Sequence, residues 1–281
     1  MVKTTLIDAG GLSLAANMSG DSRKPALLLL HGWPHSRALF DDVLEPLSSD
    51  FFVLAPDLPG IGESHDLAPS AEKTVLANIV LSAAQRAGAR DMIVAGLDVG
   101  GMIAFAAARD HGQRIRLAVI MNTVIPGIDP WAQILSDPRI WHFAFHAIPD
   151  LPELLVGGHQ GAYFDFFHNA LAGDPARIPQ ALRARFAQAY ARPEALKTGF
   201  DWYRAMARDA EHNARPAHLT TPLLYVRGDA DKRPIAPYVE GLRRAGALKI
   251  DSHVISGSGE LLPIEASGAF IDMLRQRAPQ M

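Results

Sequence analysis

The stretch IVAGLDVGGMIAF, residues 93–105, decides the fold. Its first half is an apolar run of the kind that forms a strand buried on both faces, and its second half is a small-residue helix start. Between them stands a charged residue, Asp98, with Gly96 before it and Gly100 and Gly101 after it. That is the spacing of a sharp strand-to-helix elbow, whose apex side chain is pushed out above the sheet. Such an elbow usually presents serine, so an acid there calls for a chemical reason. The plainer alternative is that Asp98 only caps the following helix, since aspartate is a favoured N-cap.

Working outward, the strand design recurs. PALLLLHGW (25–33) and FFVLAPDLPG (51–60) are short apolar runs that end in loops, and RLAVIMNTVIPG (116–127), PLLYVRGDAD (222–231) and LKIDSHVISGSG (248–259) are three more strand-like runs. TTLIDAGGLSLAANM (4–18) predicts two short strands around a Gly-Gly turn. SAEKTVLANIVLSAAQRAGA (70–89) has an apolar period of three to four residues and closes on Gly88, which predicts a helix. Strands alternating with helices predict an α/β fold with a mostly parallel sheet covered on both sides. Residues 127–215 break the rhythm: they are rich in aromatics and histidine and contain no convincing buried strand. They are expected to form a helical cap, inserted between core segments 1–126 and 216–281.

Composition sets the bounds. The 281 residues suffice for one α/β domain with an insertion. A net charge of −3 gives no electrostatic case for nucleic acid or an anionic membrane. The absence of cysteine excludes disulfides, thiolate catalysis and cysteine metal sites. No signal-peptide core opens the chain and no run approaches a membrane span, so a cytoplasmic protein, monomer or homodimer, is expected. The glycines near 60 and 100 lack the Lys-Ser/Thr or downstream acid of a nucleotide loop, and no metal site or cofactor is expected.

In sheets of this kind the chemistry sits at the carboxyl ends of the strands. The loops there are HGWP (31–34), DLPGIGES (57–64), LDVGG (97–101), GDAD (228–231) and GSGELLP (257–263). Together they resemble the α/β-hydrolase fold, and within it the branch that uses aspartate as nucleophile, the epoxide hydrolases and hydrolytic dehalogenases. HGWP is similar to that branch's oxyanion loop, DLPGIGES to its Gly-x-Gly-x-Ser turn, and GLDVGG to its elbow. WHFAFHAIPDLPELLVGG (141–158) and KTGFDWYRAM (197–206) resemble cap segments of bacterial epoxide hydrolases. The resemblance covers nearly the whole chain.

It supplies the chemical reason. A carboxylate is already ionised at neutral pH, so Asp98 can attack a saturated carbon without a base. The product is an alkyl ester, which water must then cleave. For that step the resemblance assigns the backbone N–H groups of Trp33 and Val99 as oxyanion donors, with a cis peptide before Pro34 turning the Trp33 amide inward. His31 is read as structural. Tyr203 matches a cap tyrosine that donates to the epoxide oxygen; otherwise it is a packed aromatic. His142 stands where similar haloacid dehalogenases bind halide, but Phe143 follows it where they carry tryptophan. The arginines those enzymes carry after the elbow are also absent. Both departures favour an epoxide. Trp141, Phe143 and Phe145 are expected to line the pocket, and the aromatic cap with few pocket cations suggests a small apolar or aromatic substrate.

One position departs from the family. Asp231 matches the acid that orients the catalytic histidine, or else caps a turn. The histidine itself is missing, and in GELLPIE (259–265) Glu260 occupies its slot. His253 lies seven residues earlier on a strand, roughly 23 Å away at full extension, so it does not replace it. A carboxylate is a weaker base than imidazole, but crowding with Asp98 and Asp231 in a dry site would raise its pKa. Three readings stay open: Glu260 is an altered base, an engineered change, or a sign of non-hydrolytic chemistry such as a cyclase or a ligand-binding pseudoenzyme. C–halogen cleavage remains a further alternative.

Overall fold

The computed structural model describes residues 1–278. Eight strands form one sheet: β1 Lys3–Asp8, β2 Ser13–Ser19, β3 Ala26–Leu30, β4 Phe52–Pro56, β5 Met92–Leu97, β6 Ile115–Met121, β7 Leu223–Gly228 and β8 Ile250–Ile255. Their order is β1-β2-β4-β3-β5-β6-β7-β8. The expected hairpin is present: β1 pairs antiparallel with β2, and β2 with β4. From β4 to β8 every pairing is parallel. The chain runs from β3 to β4 on one side and then crosses to β5 on the other, so the order reverses at β3. That reversal opens a crevice beyond the carboxyl ends of the strands.

Alternate residues of the central strands feed two separate cores. Leu28 and Leu30 of β3, Val94 of β5 and Ile120 of β6 join one apolar cluster; Leu27, Leu29, Ile93, Leu97 and Met121 join the other. The period of two of a pleated strand, with both faces covered, accounts for the continuous apolar runs. The flanking helices are α1 Asp41–Leu47, α2 Lys73–Arg86 and α3 Val99–His111. The second of these lies within the stretch where the sequence predicts a helix.

Between β6 and β7 the chain forms helices and no strand: α4 Trp131–Leu135, α5 Trp141–Ala147, α6 Leu151–Val156, α7 Gln160–Leu171, α8 Gln180–Ala189, α9 Pro193–Arg204 and α10 Met206–Asn213. Three more close the fold, α11 Ala236–Arg244, α12 Leu262–Glu265 and α13 Ser267–Arg277. None of the helices among the described residues is long and apolar enough to cross a membrane.

A buried ion pair ties the cap helix α10 to α2. Lys73 Nζ of α2 meets Asp209 Oδ2 of α10 at 2.8 Å, with both side chains 3% exposed. The ammonium also donates to the Trp202 carbonyl, and the Lys73 backbone N–H donates to Asp209 Oδ1 at 2.9 Å. Such a pair fixes one orientation, because a buried charge left without its partner is costly.

Candidate active site

Asp98 sits at the end of β5 with φ +51° and ψ −120°, a backbone conformation that non-glycine residues rarely adopt. Glycines make the bend possible. A Cβ on Gly96 would strike the Gly100 carbonyl, and one on Gly100 would strike the backbone at Leu30 and His31. A Cβ on Gly32 would press on the Asp98 side chain itself, 2.5 Å from its Cβ. The side chain makes no capping hydrogen bond to the second or third N–H of α3; its backbone partners are Trp33 and Val99.

Its Oδ2 accepts from the Trp33 N–H at 2.9 Å. The Trp33–Pro34 peptide is cis, as the resemblance implies. Burial raises the Asp98 pKa to about 6, against the opposing pull of the Val99 and Trp33 N–H groups and the Lys73 charge. Thus the two amides expected to face an oxyanion both already favour the ionised carboxylate. His31 is fully buried; its Nε2 accepts from the Leu58 N–H and its Nδ1 faces the Gly32 carbonyl, which is the structural role expected of it.

Asp98, Tyr203 and Glu260 line one cavity, together with Trp33, Pro34, His142 and Phe143. Tyr203 is 4% exposed, and its hydroxyl is held in the protonated form by burial and by the charge of Asp98. Its ring packs edge-on against Trp33, His146 and Phe143, at 5.9, 4.5 and 5.2 Å between centroids. His142 is held neutral by burial, its pKa falling to about 4. His146 lies behind this wall, with Nε2 2.8 Å from the Tyr163 hydroxyl.

Glu260 follows β8 in a loop that is clamped from three sides. Its N–H donates to the Leu171 carbonyl of the cap at 2.9 Å. Asn122 Nδ2 donates to the Glu260 carbonyl at 2.8 Å and to that of Gly259 at 3.0 Å. The buried Glu265 carboxylate accepts from the N–H groups of Gly173, Gly259 and Leu261. The Glu260 carboxyl is therefore presented to the cavity at a set place. Burial first and the Asp98 charge second push its pKa up to about 8, while Arg233 and Arg227 pull the other way. Of the causes expected from the sequence, burial and Asp98 raise this acid; Asp231 does not take part, and Glu265 adds to the effect.

Three expectations need correction. Asp231 does not reach the cavity and does not orient Glu260. Its carboxylate accepts from Arg233 Nη2 at 2.8 Å and Nε at 3.1 Å, and it pairs with Arg227. Two carboxylates would repel, whereas two guanidiniums beside Asp231 do not. Trp141 and Phe145 are not on the cavity wall; Trp141 is 41% exposed and stacks against Phe145 and Phe167 instead. They are four residues apart on α5 and share a stripe that faces away from Phe143. Finally, the wall is not poor in cations, because Arg227 and Arg233 both line it.

Those two arginines and Asn122 were missed. Asn122 has φ +47° at the end of β6, and both arginines flank the GDAD loop. Their position at or just beyond the carboxyl end of a strand was the available signal. Among the described residues no group of three or more His, Cys, Asp or Glu side chains could hold a metal ion.

Comparison with known proteins gives the same frame. The family model described as the alpha/beta hydrolase fold matches residues 25–265. The chain is 28% identical to a soluble epoxide hydrolase of Corynebacterium sp. (strain C12) over 264 residues, covering 89% of this chain and 91% of that protein. Among solved structures, Cfl2 of Burkholderia cenocepacia superposes with a TM-score of 0.88 at 26% identity, covering 98% of this chain and 95% of the other. The epoxide hydrolase CorEH has the same fold, with a TM-score of 0.87 at 24% identity over the whole of both chains. A sheet reversing at β3, an elbow beyond β5 and a family match across most of the length lead to one conclusion: the chain belongs to the α/β-hydrolase fold family.

Proposed function

We propose that the protein is an epoxide hydrolase-type enzyme whose nucleophile is Asp98. The observation that carries this reading is the Asp98 carboxylate at the elbow, with Oδ2 tethered to the Trp33 N–H on a wall shared with Tyr203 and Glu260. With Oδ2 tethered, Oδ1 is the oxygen free to attack. It bonds to an epoxide carbon as the ring C–O bond breaks, and the departing oxygen takes the Tyr203 hydroxyl proton. Oδ2 becomes the carbonyl oxygen of the resulting ester, already facing the donors that hold it when it turns into an oxyanion.

In the second step water adds to that carbonyl and Glu260 takes its proton. A base is most useful when its pKa lies near the working pH, and a Glu260 raised to about 8 meets that condition better than an ordinary carboxylate. The tetrahedral intermediate collapses, the diol oxygen recovers a proton from Glu260, and Asp98, freed as the carboxylic acid, releases the second water proton to solvent to become a carboxylate again. Tyr203 is reprotonated from solvent. The Corynebacterium relative's epoxide hydrolase name supports the substrate class for this chain.

Diol formation from an aromatic epoxide such as styrene oxide tests the proposal. Wild type is expected to release diol, D98N to lose activity by on the order of 10³-fold or more, and E260H to release it faster. A D98N protein that forms diol at the wild-type rate would overturn the nucleophile. A second reading is favoured by one observation: at pH 7 a Glu260 with a pKa of about 8 is mostly a proton donor, which suits a non-hydrolytic ring opening. In that case E260H loses the native activity and gains no diol.

A further inference from the structure

The cation-bearing end of the cavity is not used by the reaction just described. Arg227, at the end of β7, has a side chain 4% exposed and yet borders the cavity. One of its nitrogens, Nη2, is paired with Asp231. The other two, Nε and Nη1, are buried without a hydrogen-bond partner. The Tyr238 ring lies over the guanidinium, 4.6 Å from Cζ, and stacks on Tyr225. Arg233 stands beside it on the same wall, also bound to Asp231.

The charges do not balance. Two guanidiniums share a single carboxylate, Asp231, and neither forms an ion pair with Glu260. Glu260 is mostly protonated at neutral pH and cancels little of the excess. Leaving buried donors unpaired is costly, and more so when the group is charged. The same cavity is also lined by the apolar side chains of Val124, Ile134, Ile140 and Leu261.

We propose that Arg227 and Arg233 bind a carboxylate on the substrate, so that the cavity takes an amphipathic acid whose apolar body lies along Val124, Ile134 and Ile140. This rests on the reading of the cavity as the reaction site and narrows its substrate class from neutral epoxides to epoxy acids. A guanidinium fork suits a planar carboxylate, and the Tyr238 face over Arg227 keeps the cation in place for it.

The test is a binding measurement that needs no turnover. 3-Phenylpropanoate and 3-phenylpropanamide are titrated into wild type, R227Q, R227K and R233Q, with quenching of tryptophan fluorescence or heat of binding as the readout. Wild type is expected to bind the acid at least tenfold more tightly than the amide. R227Q and R233Q are each expected to reduce that preference several-fold or more while leaving amide affinity unchanged, and R227K to keep part of it. If R227Q fails to fold for want of the Asp231 pair, R233Q and R227K still decide the matter. Equal affinities for acid and amide in wild type would overturn the proposal, as would a preference that survives in R233Q and in every folded Arg227 variant. A failure of the nucleophile reading looks different: the acid preference stands, but no epoxide, acid or neutral, is consumed.

Discussion

At the scale of single residues, environment decides what two ordinary acids do. Asp98 and Glu260 share one cavity; burial raises the Asp98 pKa to about 6, and burial with the Asp98 charge raises that of Glu260 to about 8. In the proposed mechanism Asp98 attacks as the anion, so the rate of ester formation in a single turnover is expected to fall as pH drops through about 6. The same mechanism makes Glu260 the base, so steady-state turnover is expected to keep rising until about pH 8. Two separate limbs in stopped-flow and steady-state pH profiles are the check, and a single limb near pH 4 for both would contradict the assignment. The proposed role of Tyr203 rests on its hydroxyl alone, since its ring is held by neighbouring aromatics. Y203F is therefore expected to lower the rate of ester formation by about 10²-fold with little change in melting temperature. Asp98 was legible from the sequence because the glycines around it announce the bend. The positions of Asp231, Trp141 and Phe145 were not, because they depend on which neighbour wins a charge and which stripe of α5 faces inward.

At the scale of elements, two devices hold the site. The elbow needs Gly100, because any Cβ there meets the backbone at Leu30 and His31. G100A is expected to destabilise the fold by about 1–3 kcal/mol in urea unfolding. The second device is the Lys73–Asp209 pair between α2 and α10. D209N leaves a buried ammonium without its partner and is expected to cost about 3–5 kcal/mol, whereas the double variant K73M/D209L costs less than either single change. Equal stabilities for D209N and wild type would remove the pair from this role. The strands were legible because apolar runs of five to seven residues between turn signals have one economical solution, a doubly covered sheet. The tether was not, since nothing local in EKTV or ARDA shows that their charges meet.

At the scale of the whole molecule, the cost of the site appears in how stability depends on pH. Asp98 and Glu260 bind a proton more tightly in the folded chain than in the unfolded one, where carboxyl pKa values lie near 4. Their contribution to stability is fully present below that value and is lost as pH rises through about 6 for Asp98 and about 8 for Glu260. E260Q is thus expected to match wild type at pH 4.5 and to exceed it at pH 9 by about 2 kcal/mol or more. Calorimetry across that range reads the difference, and parallel curves for the two proteins would refute it. The architecture from β3 onward was legible as a βα alternation interrupted by an aromatic helical stretch. Which cations end at the cavity was decided only when β7 was set beside β6 and β8.

The most direct measurement is mass spectrometry of the denatured protein after brief incubation with styrene oxide. The expected result is an increment equal to one epoxide, located on the peptide that contains Asp98, larger in E260Q than in wild type and absent from D98N. An unmodified Asp98 peptide in E260Q, while epoxide is consumed, would contradict attack by this carboxylate.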